Sequence, residues 1–239
     1  MSHLPNPERS CAAPTPPGNF DGLARLYRWM ELLTFGPLLA RCRTAFLQDC
    51  ATCKRALVLG DGDGRFTAQL LRANPVIEID AVDASPAMLD ALMRHAAPHR
   101  ERVCVFCADI RAWRPANPPY DLVVTHFFLD CLLTEEVSSM AAALHEAVSG
   151  NALWIVSDFA VSKGWFGRLV GEPLVWFLYW AFGVLTGLSA SELPDHAAAL
   201  RQAGWFLSRR QARLGGLLIS EIWQREGGPA PRSRMLQIC

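Results

Sequence analysis

Residues 56–66 read ALVLGDGDGRF, and this stretch decides the fold. It begins with a short apolar run that ends in glycine, which is typical of a buried parallel strand. Three glycines then alternate with Asp61 and Asp63. Glycine lets the backbone turn sharply and lets a ligand approach its amides. The stretch therefore predicts a strand, a glycine-rich turn and a helix that begins at Arg65.

Strand and helix patterns continue to alternate along the chain. Further apolar runs predict strands at 76–83, 102–109, 120–127, 151–158, 205–213 and 216–225. Between them, helices are predicted from Pro86 after an N-cap at Ser85, from a cap at Thr134, and over 195–203. This alternation predicts an α/β domain with a mostly parallel sheet that helices cover on both faces. Ligands of such sheets bind at the carboxyl ends of the strands.

Length and composition limit the class of protein. The chain has 239 residues, is 51% hydrophobic, and balances 23 Lys and Arg against 23 Asp and Glu. We predict a single domain over 20–225 with disordered tails at 1–19 and 226–239. The neutral balance argues against nucleic-acid binding, which needs a basic surplus. Sparse cysteines and the absence of an apolar leader in 1–19 predict a cytoplasmic protein.

Two regions lie outside the alternating pattern. An amphipathic helix is predicted from Leu23 to Leu33, and a second helix is predicted to run to about Cys50. After the fifth strand comes an apolar insertion, 164–192, whose uncharged part 173–188 has 16 residues. A membrane-spanning helix needs about 20 residues. We therefore predict a helical cap, and peripheral contact with a membrane stays open.

Acidic residues follow the predicted strands at the places where a nucleoside would bind. Asp83 closes the second strand 19 residues after Gly64, and an acid there accepts hydrogen bonds from the two hydroxyls of an adenosine ribose. Asp109 follows the third strand and can accept a hydrogen bond from an adenine amine. Met88 and Ile110 can supply apolar contacts to the base. Together with the glycine turn, these residues predict an adenosine-containing cofactor.

Four stretches resemble the class I S-adenosylmethionine-dependent methyltransferase family: LVLGDGDGRF (57–66), IDAVDASPAML (79–89), VCVFCADIRAW (103–113) and YDLVVTHFFLDCL (120–132). The resemblance implies a Rossmann-like, doubly wound sheet of seven strands in the order 3-2-1-4-5-7-6, with strand 7 antiparallel. It also implies S-adenosylmethionine as cofactor, bound by Gly60, Asp61, Gly62, Asp63, Gly64, Asp83, Ala84, Met88, Asp109, Ile110 and His126. A narrower similarity, to quinone-biosynthesis methyltransferases, lies in FFLDCL and in the apolar insertion.

One position departs from the family pattern. The family usually carries an acid two residues before the first glycine of its loop, and this chain has Val58 there. Asp61 or Asp63 could compensate by contacting the ammonium group of the cofactor. We therefore expect one of these two carboxylates to lie where the ammonium group binds.

Methyl transfer from a sulfonium mainly requires that donor and acceptor are held in line and kept from water. A hydroxyl or acidic-carbon acceptor also needs a general base. The candidates are His126, Asp130 and Asp158 near strand ends, with His126 as first choice, and His196 beside the apolar insertion. The acceptor pocket is predicted to draw on Tyr27, Met30, Trp176, Tyr179, Trp180 and His196. These side chains favour a small hydrophobic or aromatic acceptor.

Several alternatives stay open. An NAD(P)-dependent oxidoreductase would use a similar sheet, but Arg65 stands where the dinucleotide fingerprint needs glycine. A protein that binds S-adenosylmethionine without catalysis, or that uses it without methyl transfer, is compatible with Val58. No metal is predicted, because Cys104 and Cys107 lie three apart on a strand and point to opposite faces. The cysteines are interpreted as mostly buried apolar thiols.

Overall fold

A computed structural model describes residues 36–115, 117–160 and 194–225. The predicted tails (1–19 and 226–239) and the first amphipathic helix with Tyr27 and Met30 lie outside the described residues. The same holds for the apolar insertion, which carries Trp176, Tyr179 and Trp180. The expectations about these segments, including the outer bounds of the domain, therefore stay predictions.

The described residues form one sheet of seven strands in the order β3-β2-β1-β4-β5-β7-β6. The strands are β1 (Arg55–Leu59), β2 (Glu78–Asp83), β3 (Val103–Cys107), β4 (Tyr120–His126), β5 (Val148–Phe159), β6 (Trp205–Arg213) and β7 (Leu218–Arg225). β1 to β5 pair in parallel, whereas β7 is antiparallel to both β5 and β6. The strand order implied by the family resemblance is confirmed.

Helices cover both faces of the sheet. They are α1 (Gly36–Arg43), α2 (Arg65–Ala73), α3 (Pro86–His95), α4 (Thr134–Ala147) and α5 (His196–Gln202), with 3-10 turns at Leu47–Cys50, Ala97–Arg102, Leu129–Cys131 and Leu214–Gly216. Phe66, Leu70 and Leu92 join α2 and α3 to one face of the sheet. Leu144 and Leu200 join α4 and α5 to the other. Burial of apolar surface on both faces is what stabilises such a parallel sheet.

The parallel register brings the carboxyl ends of β1 to β5 together at one edge of the sheet, which we call the carboxyl edge. Leu59 lies beside Val82 of β2 and Thr125 of β4, and Thr125 lies beside Val156 of β5. The loops that follow these strands therefore converge. None of the helices within 36–115, 117–160 and 194–225 is long and apolar enough to cross a membrane.

Some local expectations need correction. The helix predicted to reach Cys50 ends at Arg43, because from Ala45 onward the backbone N–H groups bond carbonyls three residues earlier, as Ala45 does to Cys42 and Leu47 does to Thr44, which is 3-10 geometry. Thr134 is the first residue of α4 rather than its cap. Glu136 instead accepts a hydrogen bond from the Leu133 N–H at 2.9 Å. The Ser85 cap is confirmed, since its hydroxyl accepts from the Met88 N–H.

The cysteines divide by their place in the sheet. Cys42, Cys50 and Cys53 are buried, as expected of apolar thiols. Cys104 is exposed and Cys107 is half-buried, because β3 lies at an end of the strand order and is paired only with β2. The expectation of mostly buried thiols is therefore wrong for β3.

Candidate functional site

The glycine turn after β1 has one open side. Gly60, Gly62 and Gly64 have φ values of 65°, 61° and 78°, which residues other than glycine rarely adopt. A Cβ on Gly60 would lie 2.1 Å from the Phe128 ring, and one on Gly64 would lie 2.5 Å from Leu92. A Cβ on Gly62 would meet only the sulfur of Met88, at 3.9 Å. The turn is thus packed at both ends and approachable at Gly62.

The two acids inside the turn already have protein partners. Asp61 Oδ2 accepts hydrogen bonds from the Thr67 N–H at 2.9 Å and the Thr67 hydroxyl at 2.7 Å. Asp63 forms an ion pair with Arg65, with 2.9 Å between Oδ2 and Nε. Val58 is buried in the core. Contact of either acid with the ammonium group of the cofactor remains a prediction, and the structure gives both acids another role.

Asp83 links the end of β2 to the glycine turn. Its Oδ1 accepts from the Ser85 N–H at 2.9 Å, and the backbone N–H groups of Gly62 and Ala84 also donate to its carboxylate. Burial raises the pKa of Asp83 to about 6 against the effect of these hydrogen bonds. Asp83 is half-buried, whereas Ala84 is exposed. Asp83 is therefore an acceptor held at the carboxyl edge and still open to a ligand.

The third predicted ligand acid lies on a turn beyond β3. Arg111 Nε lies 2.9 Å from both carboxylate oxygens of Asp109, and these hydrogen bonds lower the pKa of Asp109. The backbone N–H and Nη2 of Arg111 also donate to this carboxylate, so Arg111 already occupies most of its acceptor positions. Ile110 and Trp113 line a cavity of about 350 Å³ against α4. The adenine contacts predicted for Asp109 and Ile110 are untested.

His126 lies at the end of β4 on the face that carries α1 and α2. Its side chain alternates with Thr125 and shares the face of Val124. It is 3% exposed, its ring contacts Phe66 edge-on at 4.5 Å, and neither ring nitrogen has a hydrogen-bond partner among the described residues. Burial, followed by the charge of Arg43, lowers the pKa of His126 well below 6.5. The ring is thus neutral and faces away from the other candidate bases.

Asp130 and Asp158 are brought together on the opposite face. Asp158 is 2% exposed, and backbone N–H groups of Phe159, Asp130 and Leu129 donate to its carboxylate. Burial and then the charge of Asp130 raise the pKa of Asp158 well above its ordinary value. Burial also raises the pKa of Asp130 to about 6, and the Cys131 thiol donates to its Oδ1 at 3.5 Å. The pair anchors the 3-10 turn that follows β4.

His196 has a partner that the sequence analysis missed. Its Nε2 lies 3.1 Å from Oε2 of Glu221, a fully buried residue in the middle of β7. The same oxygen accepts from the Trp223 indole N–H at 2.8 Å, and Arg210 Nη1 lies 3.4 Å from Oε1. Burial raises the pKa of Glu221, but His196, Trp223 and Arg210 together lower it below its ordinary value. The sequence signal was one acid inside the apolar strand LISEIWQR.

The structure therefore divides the predicted site residues into three groups. The glycine turn, Asp83, Ala84, Met88, Asp109 and Ile110 follow β1 to β3 along the carboxyl edge. Asp130, Asp158 and His196 lie on the α4 and α5 face, whereas His126 lies on the α1 and α2 face. The remaining acceptor-pocket candidates lie outside the described residues.

Comparison with known sequences locates the resemblance in the first half of this sheet. Residues 56–150 match the sequence model of a family described as a methyltransferase domain. A segment of 76 residues is 40% identical to the malonyl-[acyl-carrier protein] O-methyltransferase of Halorhodospira halophila (strain DSM 244 / SL1). That match covers 32% of this chain and 25% of the relative. The chain thus aligns with about a quarter of the curated relative.

Comparison with solved structures shows the same fold over most of the chain. The S-adenosylmethionine-dependent methyltransferase SibL in its apo form superposes with a TM-score of 0.62 at 22% identity, over 88% of this chain and 60% of SibL. PigF with SAH gives 0.62 at 17% identity, over 87% and 60%. A TehB-like methyltransferase from Corynebacterium glutamicum gives 0.57 at 14% identity, over 86% and 100%. At these identities the likeness shows the fold alone.

Proposed function

Because residues 56–150 match the sequence model of a methyltransferase domain, we propose that this protein is an S-adenosylmethionine-dependent methyltransferase that acts on a small hydrophobic or aromatic acceptor. The observation that carries the proposal is the junction of the glycine turn with Asp83 at the carboxyl edge. There the Asp83 carboxylate accepts a hydrogen bond from the backbone N–H of Gly62, a residue with open space beside its Cα. One fold can host many functions, so the proposed function rests on this site rather than on the sheet.

The residues present fit S-adenosylmethionine. Asp83 is a half-buried carboxylate that can accept from ribose hydroxyls, and Gly62 leaves space for close approach to the backbone. Three further acids, Asp61, Asp130 and Asp158, lie close enough to Asp83 or to one another to raise pKa values at this edge. Such an accumulation of carboxyl groups favours a cationic ligand. When bound, the cofactor supplies a methyl group on a positively charged sulfur.

The protein's own contribution is to hold, orient and desolvate. The turn and Asp83 fix one ligand at the ends of β1 and β2, whereas β4, β5 and β7 present their side chains beside it. Preorganised positioning of this kind supplies most of what a displacement at an activated carbon needs. The acceptor class is supported by the aromatic residues of the insertion. The O-methyltransferase names of the curated and structural relatives favour transfer to oxygen.

Calorimetric titration of the full chain with S-adenosylhomocysteine and with NAD tests the cofactor assignment. We expect binding of the first compound only, and at least about a tenfold loss of affinity in Asp83→Ala, because the ribose loses its acceptor. Asp90→Ala is the matched control, since Asp90 is exposed on the neighbouring α3 and should leave affinity unchanged. Tight NAD binding, or no binding of either compound, would contradict the proposal.

Mass spectrometry after incubation with S-adenosylmethionine and a panel of phenols, quinols and aromatic amines tests the reaction. A product that gains one methyl group supports methyl transfer to an aromatic acceptor. Consumption of the cofactor without a methylated product would instead favour the alternative of non-methylating chemistry. Binding without any turnover across the panel would favour a protein that has kept the cofactor site alone.

A further inference from the structure

We propose that His196 takes the proton from a hydroxyl acceptor and that Glu221 is the positioning residue that orients it. The inference builds on the proposed function and deepens it, because it identifies the atom that receives the methyl group as a hydroxyl oxygen. The observations that carry it are the 3.1 Å contact between His196 Nε2 and Glu221 Oε2 and the place of this pair beside the carboxyl edge.

The pair lies close to the carboxyl edge on the α4 and α5 face. Glu221 is paired with Val156, three residues before the end of β5. Since side chains alternate along a strand, Val156 and Asp158 share a face, and so does the antiparallel partner Glu221. The start of α5 is also tied to α4, because the Asp195 N–H donates to the Thr134 hydroxyl. The imidazole thus lies on the same face of the sheet as Asp158.

Glu221 determines which ring nitrogen of His196 can act as a base. An ionised carboxylate only accepts hydrogen bonds, so Nε2 carries the proton in the neutral ring and Nδ1 keeps its lone pair. Glu221 is fully buried and is fixed by Trp223 and Arg210 as well. A buried carboxylate oriented in this way also stabilises the imidazolium that forms after proton transfer.

The other candidates are less suited to the task. His126 is 3% exposed and lies on the other face of the sheet. Asp158 is 2% exposed, and its carboxylate already accepts from three backbone N–H groups. The His196 side chain is 13% exposed, so a ligand at the edge can reach it. A partly accessible imidazole held by a buried carboxylate is the arrangement that a general base requires.

The proposed step is balanced in atoms and charge. The acceptor oxygen bonds the donated methyl carbon while its proton passes to Nδ1 of His196. The carbon–sulfur bond breaks, and its electron pair stays on sulfur as a neutral thioether. The positive charge lost from sulfur is now on the imidazolium beside Glu221, and the proton then leaves to solvent. A hydroxyl needs this help, whereas a neutral amine attacks through its free lone pair.

Nitrogen NMR of the full chain, ¹⁵N-labelled at histidine and loaded with S-adenosylhomocysteine, tests the geometry without requiring turnover. At about pH 8, we expect the neutral His196 ring to carry its proton on Nε2 and to show a bare Nδ1. Signals are assigned by their loss in His196→Gln. A proton on Nδ1 would overturn the proposal, because the base would then be blocked.

Kinetics with catechol and 1-naphthol as probes test the role. His196→Gln should lower kcat about 100-fold or more, and Glu221→Gln about tenfold or more, with KM changed less than about threefold. Added imidazole should restore turnover to His196→Ala. The matched control is His145→Gln: His145 is a half-buried histidine that contacts Arg225 near the opposite edge, and its loss should leave kcat within about twofold.

The outcomes separate this inference from the proposed function. Failure of the wild-type chain to bind S-adenosylhomocysteine contradicts the proposed function itself. Normal binding with a His196→Gln variant that keeps wild-type kcat contradicts only the role of His196. Loss of kcat that follows loss of the folded state, without imidazole rescue, assigns the His196–Glu221 contact to the anchoring of α5 and also overturns the inference. Methylation of aromatic amines but of neither hydroxyl probe overturns the assignment of the acceptor atom.

Discussion

At the scale of single residues, the carboxyl edge combines glycines in the left-handed conformation with buried acids. Gly64 is packed so closely against Leu92 that no Cβ fits, and its φ of 78° already excludes most side chains. Asp83 is held by backbone N–H groups, yet burial keeps its pKa near 6. Both features are unfavourable for an isolated chain, and they are typical of sites whose shape serves a ligand.

Gly64→Ala should destabilise the fold by about 2 kcal/mol or more, because the new Cβ overlaps Leu92 and the backbone conformation becomes strained. Gly150→Ala is the matched control, since Gly150 lies in β5 with no atom within 4 Å of its would-be Cβ. That control should change the free energy of unfolding by less than about 0.5 kcal/mol. Urea denaturation measures both variants, and equal effects would contradict the packing argument.

Affinity for S-adenosylhomocysteine should fall as the pH drops below about 6, where Asp83 takes up a proton and loses acceptor capacity. The fall should approach about tenfold per pH unit below that pKa if binding requires the ionised form. Calorimetry between pH 7.5 and 5 checks this. Asp83→Asn should bind more weakly with a flatter profile, whereas a wild-type affinity that stays constant over this range would refute the prediction.

At the scale of elements, α2 depends on a residue outside it. The N-cap position of α2 is Gly64, which offers no side-chain acceptor. Asp61 supplies the missing acceptor from three residues earlier, through the N–H and the hydroxyl of Thr67. Helix N-termini leave several N–H groups without partners, so this hydrogen bond connects the glycine turn to the stability of the helix. It also explains why Asp61 is occupied within the fold.

Asp61→Ala should lower the free energy of unfolding by about 1–2 kcal/mol, the usual cost of losing a helix cap. Asp61→Asn keeps an acceptor oxygen and should restore most of that stability. Asp63→Ala is the matched control, because its ion pair with Arg65 is partly exposed and such pairs contribute little. Thermal and urea unfolding at pH 7.5 check the series. Equal losses in Asp61→Ala and Asp63→Ala would show that Asp61 does not cap α2.

At the scale of the whole molecule, the sheet gathers several titratable groups into one low-dielectric region, where their effects on stability oppose each other. Burial raises the pKa values of Asp61, Asp83 and Asp130 to about 6. The folded protein therefore binds protons that the unfolded chain, with carboxyl pKa values near 4, does not bind until lower pH. His126 acts in the opposite sense, because its pKa is lowered in the fold.

The unfolding temperature should rise as the pH falls from 7.5 to 5.5. Protonation of the three carboxyl groups with raised pKa values stabilises the folded protein, and this effect outweighs the opposite effect of His126. His126→Phe should make the rise steeper, because the unfolded chain loses a group that takes up a proton near pH 6.5. Asp83→Asn should make it shallower. Differential scanning calorimetry at both pH values measures these changes. A wild-type unfolding temperature that falls over this range would contradict the sign.

The first two strands, the glycine turn and the acid that closes β2 could be predicted from the sequence because their signals are local. A parallel strand must be apolar, the turn after it needs glycine, and an acid must close the next strand, so ALVLGDGDG and Asp83 are visible in the order of residues. The strand order followed from the family resemblance. Local capping was less predictable: Thr134 has the chemistry of a cap, yet Glu136 provides the hydrogen bond.

What the sequence alone determined is therefore the fold class and the glycine turn between β1 and α2, since hydrophobic period and turn chemistry act between neighbouring residues. What only the tertiary structure decided is which distant side chains meet. Antiparallel β7 brings Glu221 to His196, 25 residues away in sequence, and alternation along β4 turns His126 away from Asp158. Such contacts depend on strand register and on which face each side chain occupies, which no local pattern records.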